Sequence, residues 1–370
     1  MPRGFQASGV ASGIKRSGKL DLGLFASLQP AKASCKFTTN RILAAPIQIN
    51  KRQLQRSRDF SAILVNSGNA NCFNGQAGLE DAEESVACCA RSLGVKREGI
   101  LVASTGIIGR RLPVKKIQKA MPELIRGLSG QGMDKAKRAI LTTDTFAKEI
   151  TVKFTIGGQK VTICGVAKGA GMIAPNMATM LAFIFTDACL TGGAMDRALG
   201  ICVEKSFNCI TVDGCMSTND SVMMLANAEA RNKPIGKGKD FDLFVTALGI
   251  VCLALAKMIV RDAEGGTKFI EIRVRQAASF KEARILALAV ANSNLFKTAV
   301  YGENPNFGRI LSALGVCGIE LKEERLKIRV SPLRRKEIIV DLSVGRGDSS
   351  AIVYASDLTP EYIRINAEYN

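Results

Sequence analysis

The stretch of this sequence with the most chemical capacity is Gly165 to Asp187, GVAKGAGMIAPNMATMLAFIFTD. Three glycines (Gly165, Gly169 and Gly171) and Pro175 make its first half a loop. Met180 to Phe185 is an apolar run of the length of a fully buried strand. Between them stands Ala178-Thr179, a small residue followed by a hydroxyl. Glycine lets the backbone approach a reacting group closely and take up positive φ, which suits strained peptide chemistry. A plain loop leading into a core strand explains the same residues, and on their own they leave both readings open.

The inventory narrows the chemistry. None of the 370 residues is histidine. That excludes Ser-His-Asp and Cys-His nucleophile activation, His-containing zinc sites and any imidazole base. Acid–base work then falls to carboxylates, lysine, a thiol or a chain terminus, and no metal site is expected. The net charge of +18 is compatible with nucleic acid, a membrane surface or small anions. The basic residues are spread along the chain, however, with four tyrosines and no tryptophan for base stacking. We read the charge as solubility plus a preference for anions, not as nucleic-acid binding. Eleven cysteines without a CxxC, and no apolar N-terminal segment, predict reduced thiols in the cytoplasm. Leu243 to Ala256 is apolar but too short to span a bilayer, so a buried helix is expected there and no membrane partner.

The elements that must position this chemistry alternate in an α/β manner. Strands are expected at Leu20–Ser27, Ala31–Thr39, Phe60–Asn66, Ile100–Ala103 and Ala139–Thr142, with a hairpin of 148–156 and 160–166 about Gly157-Gly158. Helices are expected at Gln76–Leu93 (capped by Gly94), Val114–Leu128, Ala194–Lys205, Ser221–Ala230, Phe241–Val260 and Phe280–Ala291. Asn66 to Asn71 and Ser104-Thr105-Gly106 read as turns after strands. Further strands at 327–330, 337–342 and 351–355 precede an extended tail, 357–369. The basic segment Arg231 to Lys239 divides the chain into a main α/β domain, 1–235, and a C-terminal α/β domain, 236–370.

Several motifs stand together in order: GFQASGVASGIKRSGKLDLGL from Gly4, FTTN at Phe37, NSGNAN at Asn66, STGIIGRRLP at Ser104 and TTDTFAKE at Thr142. KGAGMIAPNMATML at Lys168, TVDG…STND at Thr211, RDAEGGTKF at Arg261, NPNFGRI at Asn304 and INAEY at Ile365 complete them. Together they resemble one family, the ornithine acetyltransferases (glutamate N-acetyltransferases) of arginine biosynthesis, over essentially the whole chain. Cys215-Met216 stands where the family usually has an acidic and a hydroxyl residue, and Phe307 where it often has tryptophan.

The resemblance implies an N-terminal-nucleophile-like α/β protein, a layered sandwich of mixed sheets flanked by helices, with a smaller C-terminal α/β domain. It implies self-cleavage between Ala178 and Thr179 into chains 1–178 and 179–370, assembled as a heterotetramer of two of each. Thr179 is then the nucleophile, taking acetyl from N-acetylornithine and passing it to glutamate. Thr105 and Gly106 form the oxyanion hole; Thr145, Lys168, Glu264 and Asn366 bind substrate together with Thr179. No cofactor is implied, and acetyl-CoA stays open as a co-substrate. The missing histidine agrees with this: a freed α-amino group on Thr179, with a pKa of roughly 7.7–8.0, is a usable base. A related self-cleaving Thr-nucleophile aminopeptidase or amidase, and an anion-binding protein without activity, are the rival readings.

Overall fold

The computed structural model describes residues 1–174 and 180–368, which divide into two compact units. Over these residues the first unit comprises 1–169, 180–205 and 217–255, and the second 170–174, 206–216 and 256–368. The chain runs β1 (Phe5–Val10), β2 (Leu22–Phe37), α1 (Ala45–Arg56), β3 (Phe60–Asn69), α2 (Gly75–Leu93), β4 (Ile100–Ile107), α3 (Val114–Arg126) and α4 (Met133–Ala139). It continues with β5 (Lys148–Ile156), β6 (Gln159–Lys168), β7 (Leu181–Thr186), α5 (Gly192–Glu204), β8 (Ile210–Thr211), β9 (Ser221–Ala226) and α6 (Lys239–Arg261).

The first unit is organised by β2. Its first half, Leu22 to Ala26, pairs antiparallel with β3; after a register break between Ala26 and Ala31, Lys32 to Phe37 pairs with β9. Pro30 falls in the break, where its missing N–H removes no β2–β3 ladder bond. The strand order is β4-β3-β2-β9-β7-β6-β5, with β1 added against β2. The two halves of this sheet face each other: the Phe25 ring lies 5.4 Å from Phe183 and 5.1 Å from Phe185. Alternate residues of β3 serve different cores. Ile63 and Val65 join Phe25, Val166 and Phe183 between the sheets, while Ala62 and Leu64 join Val86, Cys89, Ile117 and Met121 of α2 and α3. On the far side, a Cβ at Gly165 would meet Val251 at 2.7 Å and Leu255 at 2.8 Å, so α6 lies directly on β6. The layers are therefore helix, sheet, sheet, helix.

The second unit adds β10 (Phe269–Ala277), α7 (Phe280–Ala291), α8 (Asn294–Tyr301), α9 (Gly308–Gly315), β11 (Lys327–Val330), β12 (Glu337–Ser343), β13 (Ser349–Ser356) and α10 (Pro360–Ala367). Its sheet, β11-β12-β10-β13-β8, mixes parallel and antiparallel pairs. Ile270, Ile272 and Val274 pack on Leu286, Val290, Phe296 and Leu314, whereas Glu271, Arg273 and Arg275 alternate onto the other face. The α/β class and the mixed, helix-flanked sheets agree with the expectation.

Several expectations are corrected. The expected 235/236 domain boundary does not match the compact units: α6 up to Leu255 belongs to the first, because its apolar side packs on Gly165. Ser221 to Ala226 is a strand, since β9 lies between β2 and β7 with both faces buried and shows no alternation. Ala139 ends a helix, not a strand. The tail forms α10, with Thr359 accepting the Tyr362 amide as N-cap and Pro360 in the first turn. At 23 residues α6 is long and apolar enough, by length and composition alone, to cross a membrane; half of that stretch is buried inside the protein.

Candidate active site

The N-terminal motif folds around Asp21. Its carboxylate accepts from the Ser12 amide (2.6 Å), the Ser12 hydroxyl (2.7 Å) and the Lys15 amide (2.8 Å). The Asp21 carbonyl takes the Ser67 amide at 2.8 Å, tying this loop to the end of β3. Lys15 is thereby delivered beside Gly68: a Cβ there would lie 3.0 Å from the lysine stem.

β3 and β4 run parallel and end in two glycines with positive φ, Gly68 at +94° and Gly106 at +130°. A Cβ at Gly106 would lie 2.4 Å from the Gly68 carbonyl carbon, so only glycine fits both the space and the dihedral. Thr105 is buried beside it. The Ser104 hydroxyl donates to Asn66 Oδ1 (2.6 Å), and Asn66 Nδ2 donates to the Asn69 carbonyl (2.8 Å). Asn69 in turn donates to the carbonyls of Arg110 and Arg111. The NSGNAN segment is thus a strand end braced by amide side chains, not the free turn expected.

Lys168, the last residue of β6, is buried with its ammonium 3.7 Å from Asp144. Lys148 reaches the same carboxylate at 2.8 Å, and the amides of Gly169 (2.6 Å) and Thr142 (3.0 Å) donate to it. Burial works against a charge on Asp144, but Lys168, Lys148 and the Gly169 amide outweigh it and hold this carboxyl below the usual range. Lys15 donates to the carbonyls of Leu20 (2.8 Å) and Leu141 (2.6 Å). Burial, reinforced by Lys168, lowers its pKa to about 8. Lys148, Lys168 and Lys15 stand against two carboxylates, Asp144 and Asp21, and leave a net positive, largely buried centre suited to an incoming anion. Thr145 is exposed, one residue beyond Asp144.

At the mouth of β7 the Met180 amide donates to the buried Asp220 at 2.8 Å. Ala178 and Thr179, the expected scission point, lie outside the described residues.

In the second unit Glu264 and Asn366 are brought together, with Asn366 Nδ2 donating to Glu264 Oε2 at 3.0 Å. Gly171 is needed for space: a Cβ there would lie 2.1 Å from that carboxylate. Met172, in the same loop, has left-handed backbone, at φ +56°. Asp213 holds it, accepting from the amides of Met172 (2.6 Å) and Ile173 (3.0 Å), while the Tyr362 hydroxyl donates to the same aspartate at 3.2 Å. Lys297 is buried and donates to the Val212 carbonyl. Sequence reasoning passed over Lys15, Asp144, Asp213 and Asp220. All four lie inside quoted motifs, but nothing in the sequence distinguishes a buried ion from a solvated one.

A family model described as the ArgJ family matches residues 6–334. The arginine biosynthesis bifunctional protein ArgJ of Caldanaerobacter subterraneus subsp. tengcongensis is 42% identical over 394 residues, covering 100% of this chain and 97% of that protein. The protein of the same name from Geobacter sulfurreducens is 42% identical over 389 residues, covering 99% of each. A solved chain of ornithine acetyltransferase complexed with ornithine, from Mycobacterium tuberculosis, is 36% identical, with a TM-score of 0.42 over 47% of this chain and 92% of that one.

Proposed function

The chain belongs to the ArgJ family, and from that premise we propose that it is a self-cleaving acyltransferase of arginine biosynthesis. It moves acetyl from N2-acetyl-L-ornithine to L-glutamate through an acetyl-Thr179 intermediate. The observation that carries this reading is the first unit's centre, where the glycine-only strand end at Gly106 and the largely buried Lys168–Lys15–Asp144 cluster are linked through Gly68 and Lys15.

In self-cleavage the Thr179 hydroxyl oxygen attacks the Ala178 carbonyl carbon. The C–N bond breaks, its nitrogen takes up the hydroxyl proton, and water then hydrolyses the resulting ester. The freed amine of Thr179 becomes the base. In transfer that amine takes the hydroxyl proton as the oxygen attacks the acetyl carbonyl, and returns it to the leaving ornithine amine; glutamate's amine then takes acetyl by the reverse steps. The Thr105 hydroxyl and the Gly106 N–H face the oxyanion. Lys168 draws the substrate α-carboxylate and Thr145 holds its backbone end. Glu264 meets the substrate amino group, and Asn366 hydrogen-bonds alongside. The chemistry calls for no resident cofactor. Acetyl-CoA serves as a second donor, in keeping with the relatives' bifunctional name. The two cleaved chains assemble as a heterotetramer of two of each, in the cytoplasm.

On a denaturing gel the mature protein should give two bands, and Thr179→Ala one band without transfer activity. Cutting in Thr179→Ala would show that another residue is the nucleophile. Release of acetate with no acetylglutamate would instead assign a hydrolase.

A further inference from the structure

Asp220 closes the STND motif immediately before β9, and its side chain is fully buried. Oδ1 accepts the Met180 amide at 2.8 Å, whereas Oδ2 makes no hydrogen bond among the described residues. The transfer steps set out above make no use of this group. The charged side chain that faces it is Lys168, from β6, which already shares Asp144.

An ionised carboxylate in such a setting leaves a charged oxygen buried without a donor, which is far costlier than a buried neutral acid. Burial accordingly pushes the Asp220 carboxyl well above the ordinary carboxylate range, against the pull of the Met180 amide, Lys168 and the Ser217 amide. Its place in the chain gives this a consequence. Met180 is joined to Thr179 by one peptide bond, so whatever grips the Met180 amide grips the residue that follows the proposed nucleophile.

Building on the role proposed for Thr179, we propose that Asp220 is a positioning residue for self-cleavage, a fully buried carboxyl that anchors the Met180 amide.

Full-length chain made by cell-free translation with a label, sampled over time on denaturing gels, reads the cleavage rate. Asp220→Ala should cleave roughly ten- to a hundredfold more slowly than wild type, the scale expected for a misplaced reacting group. Asp220→Asn keeps an acceptor for the Met180 amide without any charge, and should recover about tenfold or more of that loss. The proposal is overturned if Asp220→Ala cleaves at the wild-type rate, or if Asp220→Asn is as slow as Asp220→Ala. Should Asp220→Ala fail to fold, Asp220→Asn decides alone: cleavage within about tenfold of wild type is expected, and a folded Asp220→Asn chain slower than about a hundredfold overturns the proposal. A wild-type chain that never cuts, or a Thr179→Ala chain that does, would overturn the reading of Thr179 and this inference with it.

Discussion

Lys168 and Lys148 share one carboxylate unequally. Lys148 sits 2.8 Å from Asp144 and hydrogen-bonds it, whereas Lys168 stands 3.7 Å away, beyond a hydrogen bond. The farther one keeps positive potential for an arriving anion, and burial strengthens any such contact by lowering the local dielectric. Replacing Lys168 by methionine should raise KM for N-acetylornithine roughly ten- to a hundredfold, the worth of a charge-assisted hydrogen bond, with a smaller change in kcat. Saturation kinetics check this; equal losses in kcat and kcat/KM would instead place Lys168 in transition-state stabilisation. From the sequence Lys168 was equally readable as a solvated loop lysine. Its burial follows from β6 pairing between β5 and β7, which no local pattern announces.

At the scale of elements, the site depends on β3 and β4 ending together. Taken separately, NSGNAN and STG look like two polar turns. Paired in parallel register, with Gly68 opposite Gly106, they become one rigid strand end. Gly106→Ala would force a side chain into a φ of +130° and against the Gly68 backbone. We expect kcat to fall by about 10²–10³, the usual cost of losing one oxyanion donor, together with a lower melting temperature. A Gly106→Ala enzyme with wild-type kcat would remove Gly106 from the oxyanion hole. The hairpin about Gly157-Gly158 and α7 were legible because their signals are local: a glycine turn and a capped amphipathic run. β9 was not, because a strand buried on both faces carries no alternation to distinguish it from a helix.

The whole molecule responds to pH through the ions it buries. Burial lowers the Lys297 ammonium to about 8 from an ordinary 10.5, against the pull of Asp213 and Asp357. Between those values the unfolded chain binds the proton that the folded chain lacks. The stability owed to this group is therefore lowest below pH 8 and rises as pH climbs toward 10.5. Thermal melts of wild type and Lys297→Met should show the difference moving in favour of wild type over that interval. A constant difference would mean that Lys297 does not titrate there. Lys15, lowered to about 8 by burial, acts in the same direction.

By itself the sequence determined the α/β class, most of the helices and hairpins, the family and the list of candidate residues. Those depend on periodicity, turn chemistry and motif order, which are written locally. Tertiary structure decided which ions are buried, that two glycine turns are one strand end, that α6 belongs largely with the first unit, and that Asp220 holds the residue after Thr179. Burial and pairing are properties of segments brought together from distant parts of the chain, and they set the cost of a charge. Asp144, Asp213 and Asp220, which brace the described flanks of the Gly165 to Asp187 stretch, could be recognised only once the chain was folded.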